Sequence, residues 1–245
     1  MDSGPIIEAR GLTKRYGALV ALDRVDLAVG AGESLAIFGP NGAGKTTLTR
    51  ILATNLKATA GSLRIAGKDP RVHDRETKAM IGLISHQTFL YDELSARDNL
   101  LFFGRLYGAP RPEEGAEALL ESVGLADRAD DPVRTFSRGM QQRLSLARSL
   151  IHEPRIVFLD EPFTGLDPHA ASVLQATLER LRREKRTLLV TTHDLPRGLG
   201  LSDRWVILSK GRIAGEGRSA GADRSAFEEE YFSHISGARR PEGRS

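Results

Sequence analysis

The sequence predicts an α/β protein in which a mostly parallel sheet is interrupted by an inserted helical subdomain. Apolar runs at 156–159, 188–190 and 205–208 are typical of parallel strands that helices cover on both faces. Apolar residues between 95 and 151 recur instead at helical spacing. Short strand-like segments separated by glycine turns fill the first third of the chain and indicate a smaller antiparallel β subdomain.

The predicted elements follow one another in a simple order. Strands are expected first, at 6–9, 25–29, 34–38, 62–65 and 80–85. A helix from about Gly44 to Leu52 interrupts them, and the later helical region breaks at 108–112 and 127–132, where glycine, proline and aspartate cluster. After the last apolar run, a hairpin turn at 210–211 is predicted to lead into a strand and then into a small helix at 226–235.

Composition limits the classes of protein that need to be considered. With 245 residues, the chain is long enough for one large or two small domains. The absence of cysteine excludes disulfides, thiolate zinc sites and cysteine nucleophiles. No apolar run approaches the ~18 residues of a membrane span, and the N-terminal residues lack the pattern of a secretory signal.

Charge gives no reason to expect a nucleic-acid partner. The net charge is +3 without a long basic block. The arginine-rich stretch at 180–186 is interpreted as the end of a helix, where cations oppose the negative end of the dipole. A nucleic-acid or lipid-headgroup patch is the alternative interpretation of this stretch.

The strongest motif is a glycine-rich loop between a predicted strand and a predicted helix. It matches G-x-x-x-x-G-K-[ST] through Gly39, Pro40, Asn41, Gly42, Ala43, Gly44, Lys45, Thr46 and Thr47. Glycines let the backbone wrap round phosphate oxygens, and the helix N-terminus faces the anion. We expect Lys45 to reach the β- and γ-phosphates and the Thr46 hydroxyl to bind Mg²⁺. The flanking elements disfavour the alternative, a turn with one exposed lysine.

A second motif combines an apolar strand with two carboxylates, Asp160 and Glu161. A buried carboxylate needs a partner, and in a P-loop protein that partner is Mg²⁺, held here through Asp160. Glu161, one residue further, is placed to take a proton from an attacking water. The alternative, an acidic N-cap pair after a strand, is disfavoured because the phosphate loop lies upstream.

A third motif stands at the start of a helix and consists of Ser137, Arg138, Gly139, Met140 and Gln141. Ser137 is interpreted as an N-cap, so an ordinary capped helix is one explanation. A helix N-terminus with a free hydroxyl and a glycine is also a potential second phosphate site. A single nucleotide does not obviously need both sites from one chain.

Over residues 6–217 the sequence resembles the ATP-binding subunit of an ABC transporter, a P-loop NTPase. The resemblance makes the Ser137 motif the family's signature and implies a head-to-tail dimer, in which Ser137 and Gly139 contact the γ-phosphate held by the other subunit. It also implies ATP as substrate, Mg²⁺ as cofactor, an integral membrane permease as partner, and a peripheral location at the cytoplasmic face of the cell membrane.

The same resemblance assigns roles to four further residues. Gln87 is similar to the glutamine that senses Mg²⁺ and the γ-phosphate, and His193 to the histidine that contacts the γ-phosphate. Asp167 lies in the loop that couples two composite sites, and Tyr16 stands where an aromatic ring stacks on adenine. Each residue also has an ordinary explanation when it is taken singly. Gln87 is then a polar residue at a strand end and His193 a helix-capping histidine, while Asp167 is an N-cap and Tyr16 a packing aromatic. Their joint order along the chain favours the functional roles.

The resemblance also suggests a division into domains. We expect the ATPase core at 1–87 and 153–217, the helical subdomain at 88–152, and a partly flexible tail at 218–245. The signature departs from its usual form, because Arg138 and Met140 replace a glycine and a glutamine.

A finer resemblance, carried by stretches at 85–95, 97–108 and 136–143, is to the haem exporter ATPase of cytochrome c maturation (the CcmA type). Haem export in cytochrome c biogenesis is therefore the narrower prediction, with drug, lipid or polysaccharide exporters as alternatives. A soluble ABC ATPase of DNA repair or translation is disfavoured because there is no long coiled-coil insertion. A P-loop GTPase is disfavoured because the Asn-Lys-x-Asp motif is missing. The intact Asp160-Glu161 pair disfavours a non-catalytic nucleotide-binding module.

Overall fold

The computed structural model describes residues 4–85, 87–221 and 223–236. The chain forms two compact units. The first takes in the residues up to Asp74 and those from Leu189 onward, and the second runs from Arg75 to Leu188. The first three residues, His86, and the positions 222 and 237–245 of the predicted tail lie outside the described residues.

The first unit contains a three-stranded antiparallel sheet in the order β2-β1-β4. Its strands are β1 (Ile7–Tyr16), β2 (Leu19–Val29) and β4 (Ala60–Ile65). β1 and β2 are about twice as long as their predicted segments, so the prediction of short strands was wrong here. Register shifts after Ala9, where Gly11 has φ +58°, break the alternation of apolar residues by which a long strand is recognised.

The same unit holds part of the parallel sheet and three helices. The fully buried strand β3 (Ser34–Phe38) pairs in parallel with β8 (Arg204–Ser209), and β9 (Arg212–Arg218) pairs with β8 in antiparallel fashion. The predicted hairpin turn is confirmed, because Lys210 and Gly211 both have positive φ, as a tight hairpin requires. The helices are α1 (Lys45–Leu52), α7 (Leu195–Leu201) and α8 (Arg224–Ser236).

The second unit combines two parallel strands with helices. β5 (Ile81–Ile84) pairs in parallel with β6 (Ile156–Asp160). The helices of this region are α3 (Ala96–Tyr107), α4 (Pro112–Ser122), α5 (Arg138–Leu150) and α6 (Pro168–Arg183). The short helix α2 (Asp74–Ala79) precedes β5, and the strand β7 (Thr187–Thr191) follows α6.

The helical breaks predicted at 108–112 and 127–132 are confirmed. α3 ends at Gly108, which caps it with a left-handed φ of 72°, and α4 begins at Pro112, where a missing N–H costs nothing. Short 3₁₀ turns at 126–128 and 133–135 separate α4 from α5. The domain boundaries proposed from the sequence stay a prediction. No helix in the described ranges has both the length and the apolar character that crossing a bilayer requires.

Candidate functional site: a phosphate loop and a carboxylate cleft

The glycine-rich loop of the first unit closes round its own lysine. The Lys45 ammonium is buried and donates hydrogen bonds to the carbonyl oxygens of Gly39 at 2.7 Å and Pro40 at 3.3 Å. A tight turn from the Ala43 N–H to the Pro40 carbonyl, at 3.1 Å, shapes the loop. The positively charged side chain of Lys45 is thus enclosed by carbonyl oxygens of its own loop.

Two glycines of this loop occupy positions that no other residue fits. A Cβ at Gly39 would lie 2.3 Å from the Leu208 carbonyl oxygen, and one at Gly44 would lie 2.5 Å from the Ala21 carbonyl oxygen. Gly44 also has a φ of 105°, which side-chain-bearing residues adopt only with strain. The close packing on β2 and β8 fixes the path of the loop into α1.

The N-terminus of α1 has no cap from a side chain. Gly44 occupies the N-cap position, no side chain accepts a hydrogen bond there, and the first turn contains no acidic residue. The first N–H groups of a helix have no partner within it, and they carry the positive end of the dipole. Thr46 and Thr47 lie in this first turn, so hydroxyl groups and the Lys45 side chain stand at the positive end of the helix dipole.

The first unit also holds two further predicted site residues. The Tyr16 ring is 48% exposed at the β1–β2 hairpin, with the Lys14 ammonium 5.1 Å from its centre. His193 is exposed and follows β7. The carboxylate of Asp194 accepts a hydrogen bond from the Arg197 N–H at 3.1 Å and caps α7. The N-cap of α7 is thus Asp194, the residue after His193.

In the second unit, the two predicted carboxylates lie at the end of β6 in different environments. Asp160 is 5% exposed, whereas Glu161 is partly exposed and has a φ of 50°. This unusual backbone turns the chain out of the strand, and the Glu161 carbonyl accepts a hydrogen bond from the Thr164 N–H at 3.2 Å. The strained turn separates a buried carboxylate from one that is open to a ligand.

Glu161 faces a cleft of about 860 Å³ within the second unit. The cleft brings together several residues that the sequence singled out. Its lining consists of Gln87, Thr88, Phe89, Arg138, Gln141, Gln142, Glu161, Thr164 and Leu166. Carboxylate, amide and guanidinium groups thus share one open surface on this unit.

The signature residues lie at the start of α5, where the Ser137 hydroxyl caps the helix by accepting a hydrogen bond from the Met140 N–H at 3.3 Å. Sequence reasoning missed how they pack on the loop after β6. A Cβ at Gly165 would lie 3.0 Å from the Arg138 guanidinium carbon, and one at Gly139 would lie 3.2 Å from an Asp167 carboxylate oxygen. The other oxygen of Asp167 caps α6 through the Ala170 N–H at 2.8 Å. In the sequence, the glycine at position 165 is the one sign that another segment approaches this loop closely.

Comparison with known proteins places these features in one family. The model described as ABC transporter matches residues 22–164, more than half of the chain. The chain belongs to the ABC transporter family, as its ATP-binding domain. Since this is an ABC ATPase domain, it hydrolyses ATP.

Curated relatives of this ABC ATPase carry names from drug resistance and export. It is 43% identical over 86% of its length to the daunorubicin resistance ATP-binding protein DrrA3 of Streptomyces coeruleorubidus, covering 67% of that protein. It is 36% identical over 89% of its length to the Nod factor export ATP-binding protein I of Ralstonia nicotianae, covering 68%. These names do not support the narrower prediction of haem export in cytochrome c biogenesis.

Solved structures agree with the predicted P-loop fold of the ABC ATPase. An ATP-binding subunit of an ABC transporter superposes with a TM-score of 0.84 at 27% identity, covering 92% of this chain and 99% of that one. A dimeric ATP-binding cassette, MJ0796, in a post-hydrolysis state with ADP and Pi, gives a TM-score of 0.80 at 26% identity, covering 88% of this chain and 100% of that one.

Proposed function

We propose that this ABC ATPase drives an exporter through a separate membrane permease. The observation that carries the proposal is the uncapped N-terminus of α1 beside the enclosed Lys45, in a chain whose relatives include a drug-resistance and a Nod factor export protein. A drug or another bulky organic compound is the cargo class that these names favour. The permease would hold the ATPase at the cytoplasmic face of the membrane as a peripheral subunit.

In this proposal the first unit binds the nucleotide. Lys45 leaves its loop carbonyls for the β- and γ-phosphates, since a charged oxygen is a stronger acceptor than a peptide carbonyl. The N–H groups of the loop from Gly39 to Gly44 and of the first turn of α1 hold the phosphate oxygens. Tyr16 provides an exposed ring on which adenine stacks.

Mg²⁺ fits the donor set that the chain offers. Thr46 presents a hydroxyl and Asp160 a carboxylate, which are the oxygen ligands that Mg²⁺ takes together with substrate phosphates. Within the described ranges no group of three His, Asp or Glu side chains forms a metal cage. A cation that is bound mainly through the phosphates of the nucleotide does not need such a cage. When bound, Mg²⁺ would neutralise part of the charge on the phosphates.

Hydrolysis needs a base, and Glu161 fits that role best. Glu161 lines the open cleft, where its carboxylate would take a proton from the attacking water. Gln87 lines the same cleft and would orient that water, while His193 would contact the γ-phosphate. Asp160 would hold Mg²⁺, so the two neighbouring carboxylates would have separate tasks.

The signature residues are proposed to act on a second copy of the chain. Ser137 and Gly139, followed by Met140 and Gln141, would contact the γ-phosphate held by the partner, and Asp167 would couple the two sites. The Ser137 hydroxyl accepts from the Met140 N–H and still has a proton to donate to phosphate. The dimeric state of the solved neighbour MJ0796 supports this arrangement.

The decisive experiment compares Glu161→Gln with the wild-type chain. The amide keeps the size of the carboxylate but cannot accept the proton, so we expect MgATP to bind while turnover falls by about a hundredfold or more. Light scattering of E161Q with MgATP should show a dimer. Lys45→Ala is the matched control, because it should lose nucleotide binding itself. Normal turnover by E161Q would contradict the role of Glu161.

A second experiment tests the exporter assignment. A pull-down of the tagged full chain from a detergent extract should recover a protein with several membrane spans, and MgATP hydrolysis by the pair should respond to organic cargo. Daunorubicin and haem are the two probes to compare. Stimulation by haem alone would overturn the proposed cargo class while leaving the ATPase assignment intact.

A further inference from the structure

The C-terminal helix α8 packs behind the strand that delivers the phosphate loop. Phe227 and Tyr231 of α8 are 3% and 8% exposed and belong to one apolar cluster with Phe38, Trp205 and Ile207. Their spacing of four residues places them on the same face of the helix. The model of the family ends at residue 164, so α8 lies outside the part of the chain that it matches.

The contacts of α8 converge on one ring. The centre of the Phe38 ring lies 5.1 Å from that of Phe227 and 6.5 Å from that of Tyr231, and Trp205 lies 4.8 Å from Phe227. These separations are those of favourable aromatic pairs. Phe38 is fully buried and directly precedes Gly39, so its position sets where the phosphate loop begins.

Phe38 also packs against the segment that carries His193. A Cβ at Gly198 of α7 would lie 2.4 Å from two carbons of the Phe38 ring and 2.9 Å from a Thr192 methyl carbon. The Thr192 N–H donates to the Ile37 carbonyl at 3.3 Å. The ring therefore contacts both α8 and the elements next to His193, within a closely packed unit that transmits displacement.

We propose that α8 is a positioning element of the nucleotide site, in which Phe227 and Tyr231 fix the Phe38 ring and thereby hold the phosphate loop and the His193 segment in register. The proposal rests on the assignment of the loop to MgATP. Neither aromatic side chain is proposed to touch the nucleotide. If Phe227 is removed, Phe38 loses a packing partner, the start of the loop shifts, and the N–H groups no longer converge on the phosphates.

The test uses two phenylalanines of the same helix in the full-length chain. Phe227→Ala removes the buried ring, whereas Phe232→Ala removes a ring that is 58% exposed and serves as the matched control. Calorimetric titration with MgADP, which is not turned over, gives the affinity directly. We expect the Kd of F227A to rise about fivefold or more, as small displacements of several binding groups produce, and that of F232A to stay near the wild-type value.

A spectroscopic measurement separates positioning from simple loss of stability. Trp205 is the single tryptophan of the chain, so its emission reports on the packing of α8. We expect MgADP to change the Trp205 emission of the wild-type chain, and Lys45→Ala to abolish that change. F227A should shift the emission of the nucleotide-free protein and lose the response to MgADP.

If F227A does not fold, Phe227→Leu takes its place, since it keeps an apolar side chain but not the ring contacts. A folded F227A or F227L with shifted Trp205 emission and wild-type affinity for MgADP would overturn the proposal. Equal weakening in F232A would also overturn it. Failure of the wild-type chain to bind MgADP would contradict the proposed function instead, so the two failures are distinguishable.

Discussion

Helices α1 and α5 both begin at loops that we propose contact phosphate, yet their N-termini are built in opposite ways. Gly44 leaves the first turn of α1 without a side-chain cap, whereas the Ser137 hydroxyl caps α5 through the Met140 N–H. A good cap is worth about 1 kcal/mol of stability. α1 lacks this side-chain stabilisation at its N-terminus, whereas α5 has it.

Each of these helices nevertheless starts with a cation, which the dipole disfavours by about 0.3–1 kcal/mol. The two cations are held differently. Lys45 is buried on loop carbonyls, whereas Arg138 is exposed and lies against Gly165. The contrast supports the proposal that α1 binds the nucleotide of its own chain and that α5 presents groups to a phosphate held by another chain.

The largest effect is expected from adding a side chain at Gly44, the closely packed N-cap of α1. Gly44→Ala places a methyl group 2.5 Å from the Ala21 carbonyl oxygen at a φ of 105°. We expect a loss of about 2–4 kcal/mol in the free energy of unfolding, since strain and overpacking add, together with loss of MgADP binding. Urea unfolding and calorimetry measure the two effects.

Gly42→Ala is the matched control for stability. Gly42 also has a positive φ, of 79°, but a Cβ there would meet nothing within 4 Å. Only backbone strain of about 1 kcal/mol is expected. Equal destabilisation by G42A and G44A would show that the packing of Gly44 against Ala21 does not shape the loop.

The next largest effect is expected at Ser137, where substitutions can separate helix capping from the proposed contact with phosphate. Aspartate is as good an N-cap as serine, but its negative charge repels a phosphate. Ser137→Asp is therefore expected to keep the free energy of unfolding within about 0.5 kcal/mol while ATP turnover is lost. Ser137→Ala should lose about 1 kcal/mol and part of the turnover. Urea unfolding and steady-state ATPase assays provide the two measurements.

Ser95 supplies the control for capping alone. It caps α3 through the Asp98 N–H at 3.0 Å and has no proposed contact with nucleotide. Ser95→Ala should cost about 1 kcal/mol and leave turnover per folded molecule unchanged. Wild-type turnover in S137D would contradict the proposed contact of Ser137 with phosphate.

The starts of helices α1, α5 and α6 could be predicted from the sequence. The glycine-rich loop, the Ser137 cap and the Asp167 cap follow from local chemistry, because a turn or a cap depends on residues a few positions apart. A small helix was predicted at 226–235 in a weakly patterned segment, and the structure places it at Arg224–Ser236.

Contacts between distant segments were not predictable in this way. Nothing near Phe38 in the chain indicates that Phe227 packs on it, and Gly165 alone did not reveal Arg138. The lengths of β1 and β2 were missed because bulges disturb the period of two on which strand prediction depends. The parts of the site that depend on such packing had to come from the structure.

A smaller effect is expected from the contact between Arg138 and Gly165. Gly165→Ala adds strain at a φ of 74° and a methyl group 3.0 Å from the guanidinium carbon. In an Arg138→Ala background only the strain remains. A double-mutant cycle should therefore show coupling of about 0.5–1 kcal/mol in the free energy of unfolding. Strictly additive losses would mean that the guanidinium does not rest on this loop.

The smallest effect is a pH dependence of stability that we expect from His152. This residue follows the C-terminal end of α5, away from the residues of the proposed site. Burial, and secondarily the charge of Arg148, lower the pKa of His152 despite its hydrogen bond to the Ile81 carbonyl at 3.0 Å. Its ring stacks on Tyr107 at 4.5 Å, and Nδ1 meets no partner among the described residues. A proton on Nδ1 would therefore be buried and unsatisfied.

Because the folded pKa of His152 lies below the unfolded value of about 6.5, the unfolded chain binds more protons in acid. Stability is therefore greatest above that value and falls as the pH drops below it. His152→Gln keeps a donor for Ile81 and cannot titrate, so its urea midpoint should vary less over this range. An unchanged pH dependence would assign the acid sensitivity to other groups. Turnover corrected for the folded fraction should be the same in both proteins, because the proposed phosphate contacts of α5 lie at its N-terminus.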